Sequence, residues 1–316
     1  MLHPARTSGG LSPSSFGFQI RSPHSFNFLR TGGSNRVLDV RAEADAPAAP
    51  PGVPLLEWKL NGSNGEINAK LYSLDQEYRY WVSDTGWYRI DPASLTIRIP
   101  ERADETFREH RLWGVPILLC SMINAGDFFL HAAAAEVGHG AVLLAAPGRH
   151  GKSTLALQFH REGYRVLSED SACCRLTPSP ALLAGPAMLR IRPDMFDGRA
   201  PAGTHIVSVS DDRIYLALDE DRRGNDHPVP IRAIFFLRES AEKIHFQRVA
   251  PQKALPDLWA LNFRLPTVAD SARAFVQLSR LASTVPIWNL YRPLRVASLS
   301  KTVARIVKIL PSPALD

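Results

Sequence analysis

The sequence predicts a mixed α/β protein, with a P-loop nucleotide-binding core over residues 125–312 behind a small β-rich lobe and linking helix over residues 13–124. Three observations carry that expectation. Residues 141–167 run as apolar strand, glycine-containing loop, helix-spaced segment and strand again, the order of a βαβ unit. The loop ends in Gly151-Lys152-Ser153, the close of the phosphate-loop pattern G-x-x-x-x-G-K-[ST]. Residues 67–99 hold short strand-like segments divided by turn residues.

From the N-terminus, residues 1–12 read as a disordered tail. The first 38 residues contain no Asp or Glu and are rich in Ser, Gly and Arg, a composition shared with transit peptides. Residues 15–20 and 25–29 alternate small or polar with apolar side chains, so edge strands behind a frayed end are the plainer reading. The Ala/Pro-rich stretch 42–54 reads as a loop. Strands follow at 67–74, 78–83, 87–90 and 95–99, with Asp84-Thr85-Gly86 and Asp91-Pro92 as turns. A helix is expected from Asp104 towards Asn124, bent or restarted at Gly114 and Pro116.

The core begins with apolar strands at 128–137 and 141–145, a helix over 152–162 and a strand at 164–167. Further strands are expected at 188–191, 213–218, 233–237 and 244–248, and helices at 253–260, 271–282 and 300–309.

Composition narrows the function classes. With 316 residues, 45% hydrophobic, the chain can bury a core without disulfide or metal staples. Cys120, Cys173 and Cys174 form no Cys-x-x-Cys pair, which argues against a zinc site and fits a reducing cytoplasm. No run approaches the ~20 apolar residues of a membrane span. The net charge of +6 comes without a dense Lys/Arg block, which suits a polyphosphate ligand and gives no nucleic-acid footprint.

The loop itself reads Ala146-Pro147-Gly148-Arg149-His150-Gly151-Lys152-Ser153-Thr154. Unsatisfied N–H groups at a helix N-terminus carry about half a positive charge, so phosphate oxygens settle there. Gly151 lets backbone approach phosphate without a Cβ in the way. Lys152 would reach the β- and γ-phosphates, and Ser153 would offer its hydroxyl to Mg²⁺. The first glycine of the pattern is replaced by Ala146, tolerable if Gly148 takes up the turn. A chance Gly-Lys-Ser in a surface loop is the alternative, and the apolar strand before and helical spacing after argue against it.

Phosphoryl transfer also needs a carboxylate for Mg²⁺ and commonly a second facing the acceptor. Glu169 and Asp170 stand 17 and 18 residues after Lys152, at the end of the 164–167 strand. Adjacent residues at a strand end face opposite ways, which divides the labour; a solvated turn is the alternative. His131 lies in an apolar strand, where a satisfied core histidine is the commoner outcome. His150 is either a γ-phosphate neighbour or simply exposed.

Leu130-His131-Ala-Ala-Ala, the loop 146–154, and Gly163-Tyr-Arg-Val-Leu-Ser-Glu-Asp170 together resemble the HPr serine kinase/phosphorylase superfamily, in particular the HPr-kinase-related proteins found beside bacterial peptide-modification genes. The resemblance continues in 189–194, 231–238 and 285–290 and covers roughly 125–295. It implies a core like phosphoenolpyruvate carboxykinase and the HPr kinase C-terminal domain, using ATP and Mg²⁺. By similarity His131 lies near the reacting phosphate, Glu169 replaces the family's first aspartate as base, and Asp170 joins Ser153 around Mg²⁺. Arg190 and Arg192 match basic residues loosely.

Glu169 is one methylene longer than the family's aspartate, and the glycine-rich segment that grips HPr is not recognisable, which disfavours HPr as acceptor. The expected function is therefore ATP-dependent phosphorylation of a hydroxyl, most simply a serine, of a peptide or small protein, with His131, Lys152 and Glu169 catalytic. Hexameric relatives imply a homo-oligomer. Ala146 and Glu169 favour a second reading, a nucleotide-binding sensor or scaffold. A carboxykinase acting on a small acid would need further metal-binding His and Lys residues that are not in place.

Overall fold

The computed structural model describes residues 12–44, 49–59, 66–196, 198–224 and 226–310. The tail expected at 1–12 lies outside them except for Ser12, and so do residues 45–48 of the expected 42–54 loop.

A nine-stranded sheet forms the N-terminal part. It comprises β1 (Ser12–Ser15), β2 (Phe18–Arg21), β3 (Arg30–Gly32), β4 (Val37–Glu43), β5 (Leu56–Lys59), β6 (Ile67–Leu74), β7 (Glu77–Val82), β8 (Gly86–Asp91) and β9 (Thr96–Pro100). β5 to β9 are an antiparallel meander, as the turn residues predict, whereas β4 is parallel to both β2 and β9. Residues 25–29 are not the expected strand. Their backbone is satisfied by a carboxylate instead of a ladder, since Glu109 accepts from the N–H groups of Asn27 at 2.8 Å and Phe28 at 2.9 Å.

The expected long helix is two, α1 (Glu105–Leu112) and α2 (Val115–Ala125). Asp104 caps α1 by accepting from the N–H groups of Thr106 and Phe107, each at 3.0 Å. Gly114 and Pro116 restart the chain as α2, and Gly126 ends it in a left-handed conformation.

The remainder is mixed α/β. β10 (Phe128–Val137) and β11 (Gly140–Ala145) form a hairpin, turned by Gly138 at φ 61°. α3 (Lys152–Arg161) leads to β12 (Val166–Ser168), β13 (Ser171–Arg175), β14 (Ala181–Leu183) and β15 (Met188–Ile191). Then come β16 (Thr204–Val209), β17 (Ile214–Leu218), α4 (Glu220–Arg223), β18 (Val229–Glu239), β19 (His245–Arg248) and α5 (Pro251–Leu261). β20 (Asn262–Phe263), α6 (Val268–Thr284), β21 (Ile287–Arg292) and α7 (Leu299–Ile309) complete the order.

The βαβ expectation needs one correction. β11 and β12 point the same way but are not neighbours, because each pairs antiparallel with β10. The tight hairpin seats β10 on the edge of β11 that a simple βαβ unit would give to β12. On its other edge β11 pairs parallel with β18, and β18 with β21. Pairings β10–β13, β13–β14 and β14–β18 close a circuit back to β11.

Alternation along β10 and β11 divides the core into two layers. Ala132, Ala134, Leu143 and Ala145 face α5 and α6 through Leu258, Leu278 and Leu281, all buried. Ala133, Ala135, Val142 and Leu144 face α3 through Leu155, Ala156 and Phe159, and the three-stranded sheet β15–β17–β16 through Leu189 and Leu216. A third cluster joins Phe16, Leu183 and Phe129 across the N-terminal sheet and the core.

His131 lies where β10 changes partners. It is in register with Ser171 of β13, while the next residue, Ala132, pairs with Ala145 at the end of β11. One strand thus brings the loop after β11 beside the Glu169–Asp170 turn before β13.

Candidate functional site

The loop 146–151 leaves the end of β11 and enters α3 at Gly151, which is left-handed at φ 76° and gives the helix no side-chain cap. The amides of the first turn are therefore free for a ligand. Ala146 is buried with the α3 layer, which explains why a Cβ is accommodated there. The loop turns at Gly148 and Arg149, as expected, but the left-handed positions are Arg149, at φ 66°, and Gly151. His150 turns back, with Nδ1 2.9 Å from the Gly148 carbonyl.

Gly151 is required for a second reason. A Cβ there would lie 2.5 Å from Nη2 of Arg292, at the end of β21. That guanidinium, buried at 2% exposure, donates to the carbonyls of His150 at 3.0 Å and Gly151 at 3.3 Å.

Lys152 uses all three of its donors inside the protein. Nζ donates to the Ala146 carbonyl at 2.9 Å, to the Pro147 carbonyl at 3.1 Å and to His131 Nε2 at 2.8 Å. His131 Nε2 must then be the accepting nitrogen, so Nδ1 carries the proton and points it at Asp170 Oδ1, 3.3 Å away. Burial holds Lys152 below the ordinary lysine range, and burial likewise holds His131 below the ordinary histidine range, so the ring is neutral near pH 7.

The carboxylates divide sharply. Glu169 is 4% exposed, accepts from Ser153 Oγ on one oxygen and from Arg190 Nε at 2.8 Å on the other. The Asp170 side chain is 40% exposed and meets Arg190 Nη2 at 3.0 Å as well as His131. Burial pushes the Asp170 carboxyl up, but Arg190, His131 and Lys152 outweigh it and hold it down at about 2. Ser153 and Asp170, expected together around a metal, are not hydrogen-bonded; the extra methylene of Glu169 lets that residue reach Ser153 instead.

A cavity of about 380 Å³ opens over these groups, lined by His131, Gly151, Lys152, Ser153, Glu169 and Asp170 among others. Gly148, Arg149 and Thr154 also line it, whereas Ala146, Pro147 and His150 do not. Arg192, loosely matched in the sequence, is on its rim with Arg213 and Arg295.

Among the described residues no group of three or more His, Cys, Asp and Glu side chains forms a metal cage. The donors present are oxygens, Ser153 Oγ and the two carboxylates. That set fits Mg²⁺ arriving with a phosphate ligand, since Mg²⁺ is commonly held by one or two carboxylates plus substrate oxygens.

Two contributors escape sequence reasoning. His110 of α1 places Nε2 2.8 Å from Arg190 Nη1, and because arginine only donates, that nitrogen accepts. Burial and Arg190 hold His110 well below the ordinary histidine range. In the sequence it is only a basic residue in the last turn of a helix. Arg292 follows the apolar run 285–290 and carries no local signal of its partners.

No family model matches the chain, and no curated protein matches it. Among solved structures, the Hpr(Ser) kinase/phosphatase from Coxiella burnetii is similar over 57% of this chain and 93% of that one, at 11% identity and a TM-score of 0.30. The three cysteines are free and buried, and no described helix is long and apolar enough to cross a membrane.

Proposed function

We propose that the protein is an ATP-dependent kinase that transfers the γ-phosphoryl group to a hydroxyl, most simply a serine, of a peptide or small protein. The observation that carries this reading is the meeting of an uncapped helix N-terminus, Lys152 and two carboxylates around one cavity. The uncapped amides and Lys152 bind the phosphates, once Lys152 exchanges the Ala146 and Pro147 carbonyls for phosphate oxygens. Ser153 and Glu169 would hold Mg²⁺, which supplies charge neutralisation on the phosphates. Glu169, buried against Arg190, suits that role better than the base role that family likeness gives it. Asp170, more exposed and steadied by His131 and Arg190, accepts a hydrogen bond from the acceptor hydroxyl. The proton passes to Asp170 Oδ as the oxygen–phosphorus bond forms and the β,γ-bridging bond breaks.

Replacing Lys152 by Ala tests this. ATP turnover in the presence of serine peptides should fall to background, at least ~10³-fold, because a charge matched to the transferring phosphoryl is lost. Parent-like turnover in that variant would sink the mechanism.

A nucleotide sensor is the second reading, and the internal bonding of all three Lys152 donors favours it. Thermal stabilisation by Mg·ATP without transfer to any peptide would select it.

A further inference from the structure

The site sits beside a second cavity, and the two share a wall. Segment 293–299, between β21 and α7, presents Leu294, Val296 and Leu299 to the first cavity and Pro293, Ala297 and Ser298 to the second, while Arg295 lines both. Leu294 and Val296 are exposed, at 46% and 59%, large apolar side chains on the lip of the phosphoryl site. The second cavity, about 570 Å³, is lined by Lys243, Arg295, Lys301 and Arg305 against the single carboxylate of Glu242. Among the described residues none of those four cations forms an ion pair, although Arg305 also donates to the Ile244 carbonyl and lies over the Phe246 ring.

We propose that this groove docks an acidic flank of the peptide acceptor, whose hydroxyl-bearing residue sits across the 293–299 wall in the first cavity. The inference rests on the kinase reading for the identity of the bound chain. A strand advances ~3.3 Å per residue, so a few residues carry an extended peptide over a lip one segment thick. Leu294 and Val296 give apolar contact at the crossing, and Arg295 is placed to meet an acidic side chain from either side. Excess uncompensated positive charge in a concave surface attracts and orients an anionic chain and repels a basic one. Lys243, Lys301 and Arg305 line the second cavity alone, apart from Lys152, Ser153 and the carboxylates, so they set which peptide binds and leave the phosphoryl chemistry unchanged.

The test uses the full chain and three fluorescent peptides, each with one central serine, flanked by Glu/Asp, by Gln/Asn or by Lys/Arg. Anisotropy at low ionic strength should show the acidic peptide binding and the other two not. The exposed pair Lys243→Glu and Lys301→Glu should weaken that binding roughly tenfold, an effect that shrinks as salt is added, because exposed charges contribute modestly and are screened. Thermal stabilisation by Mg·ATP and the unliganded melting temperature should stay at parent values. Equal binding of all three peptides, or parent-like acidic-peptide binding by the double variant, overturns the proposal. So does protection by inorganic phosphate alone, lost in the double variant, with no peptide binding, which would make the groove a site for a free anion. If acidic peptide binds in this way but is never phosphorylated, the docking assignment stands and the kinase reading fails. If peptides are phosphorylated regardless of flank, the reverse holds.

Discussion

At the scale of single residues, the site is a chain of hydrogen bonds and ion pairs that runs from Lys152 to His110, whose buried Nδ1 has no partner of its own. Lys152 donates to His131, Arg190 to Glu169 and His110, and Ser153 to Glu169, while His131 and Arg190 both pair with Asp170. Arg190 stands at the centre, and both carboxylates raise it above the ordinary arginine range against the opposing effect of burial. The two acids should therefore fail differently. Asp170→Asn should lower kcat by ~10² or more with the Mg·ATP affinity nearly unchanged, since the proposed mechanism gives Asp170 only the acceptor hydroxyl to partner. Glu169→Gln should instead raise the Mg²⁺ concentration needed for half-maximal turnover. Titrating Mg²⁺ in steady-state assays of both variants decides the point; a Glu169→Gln enzyme with parent Mg²⁺ dependence contradicts the assignment. Residue types and spacing marked Lys152, Ser153, Glu169 and Asp170 in the sequence, but Ser153's choice between two adjacent carboxylates depends on side-chain reach that a string of letters does not contain.

At the scale of elements, the loop 146–151 is held from behind by β21. Arg292 bonds two successive loop carbonyls, and its guanidinium fills the space beside Gly151. Arg292→Ala would leave those carbonyls without that donor and open a void, at a cost of ~1–3 kcal/mol. Gly151→Ala combines a left-handed φ with a clash, and should cost ~1–3 kcal/mol as well. Chemical denaturation of both variants checks the magnitude, and Mg·ATP should no longer stabilise Gly151→Ala. A Gly151→Ala protein as stable and as responsive to nucleotide as the parent would show that the loop adapts. Strand and helix periodicity gave good positions for β6 to β11 and for α3. The hairpin between β10 and β11 escaped because periodicity locates strands without saying which edge each will occupy.

At the scale of the whole molecule, the N-terminal sheet is tied to the core by buried polar contacts as well as by apolar packing. Arg30 of β3 donates to the carbonyls of Gly185 and Val166, each at 2.7 Å, and Glu109 anchors residues 27 and 28. His110, on the helix after the sheet, reaches Arg190 in the core. His110, His131 and His160 all titrate below the ordinary value of 6.5, each chiefly through burial. A depressed histidine binds protons more readily when unfolded, so its stabilising effect is complete above 6.5 and is lost as the pH falls towards the folded value. Asp170 acts in the same direction lower down, between 3.8 and about 2. The melting temperature should thus fall between pH 7.5 and 5.5, with a shallower fall in His110→Gln. Calorimetry at the two pH values checks this, and a flat or rising melting temperature would refute it.

The local chemistry of the molecule was written in the order of its amino acids: a strand running into Gly151-Lys152-Ser153 and a helix, with Glu169 and Asp170 one helix and a turn later. Such features depend on neighbours in the chain, and backbone conformation and helix-end polarity follow from them directly. Folding in three dimensions settled the rest: β10 between β11 and β12, Ser153 on Glu169, Arg292 behind the loop, His110 on Arg190, and a basic groove sharing a wall with the site. Those relations join residues up to 142 positions apart, and they arise from how buried layers pack and how buried charges find partners.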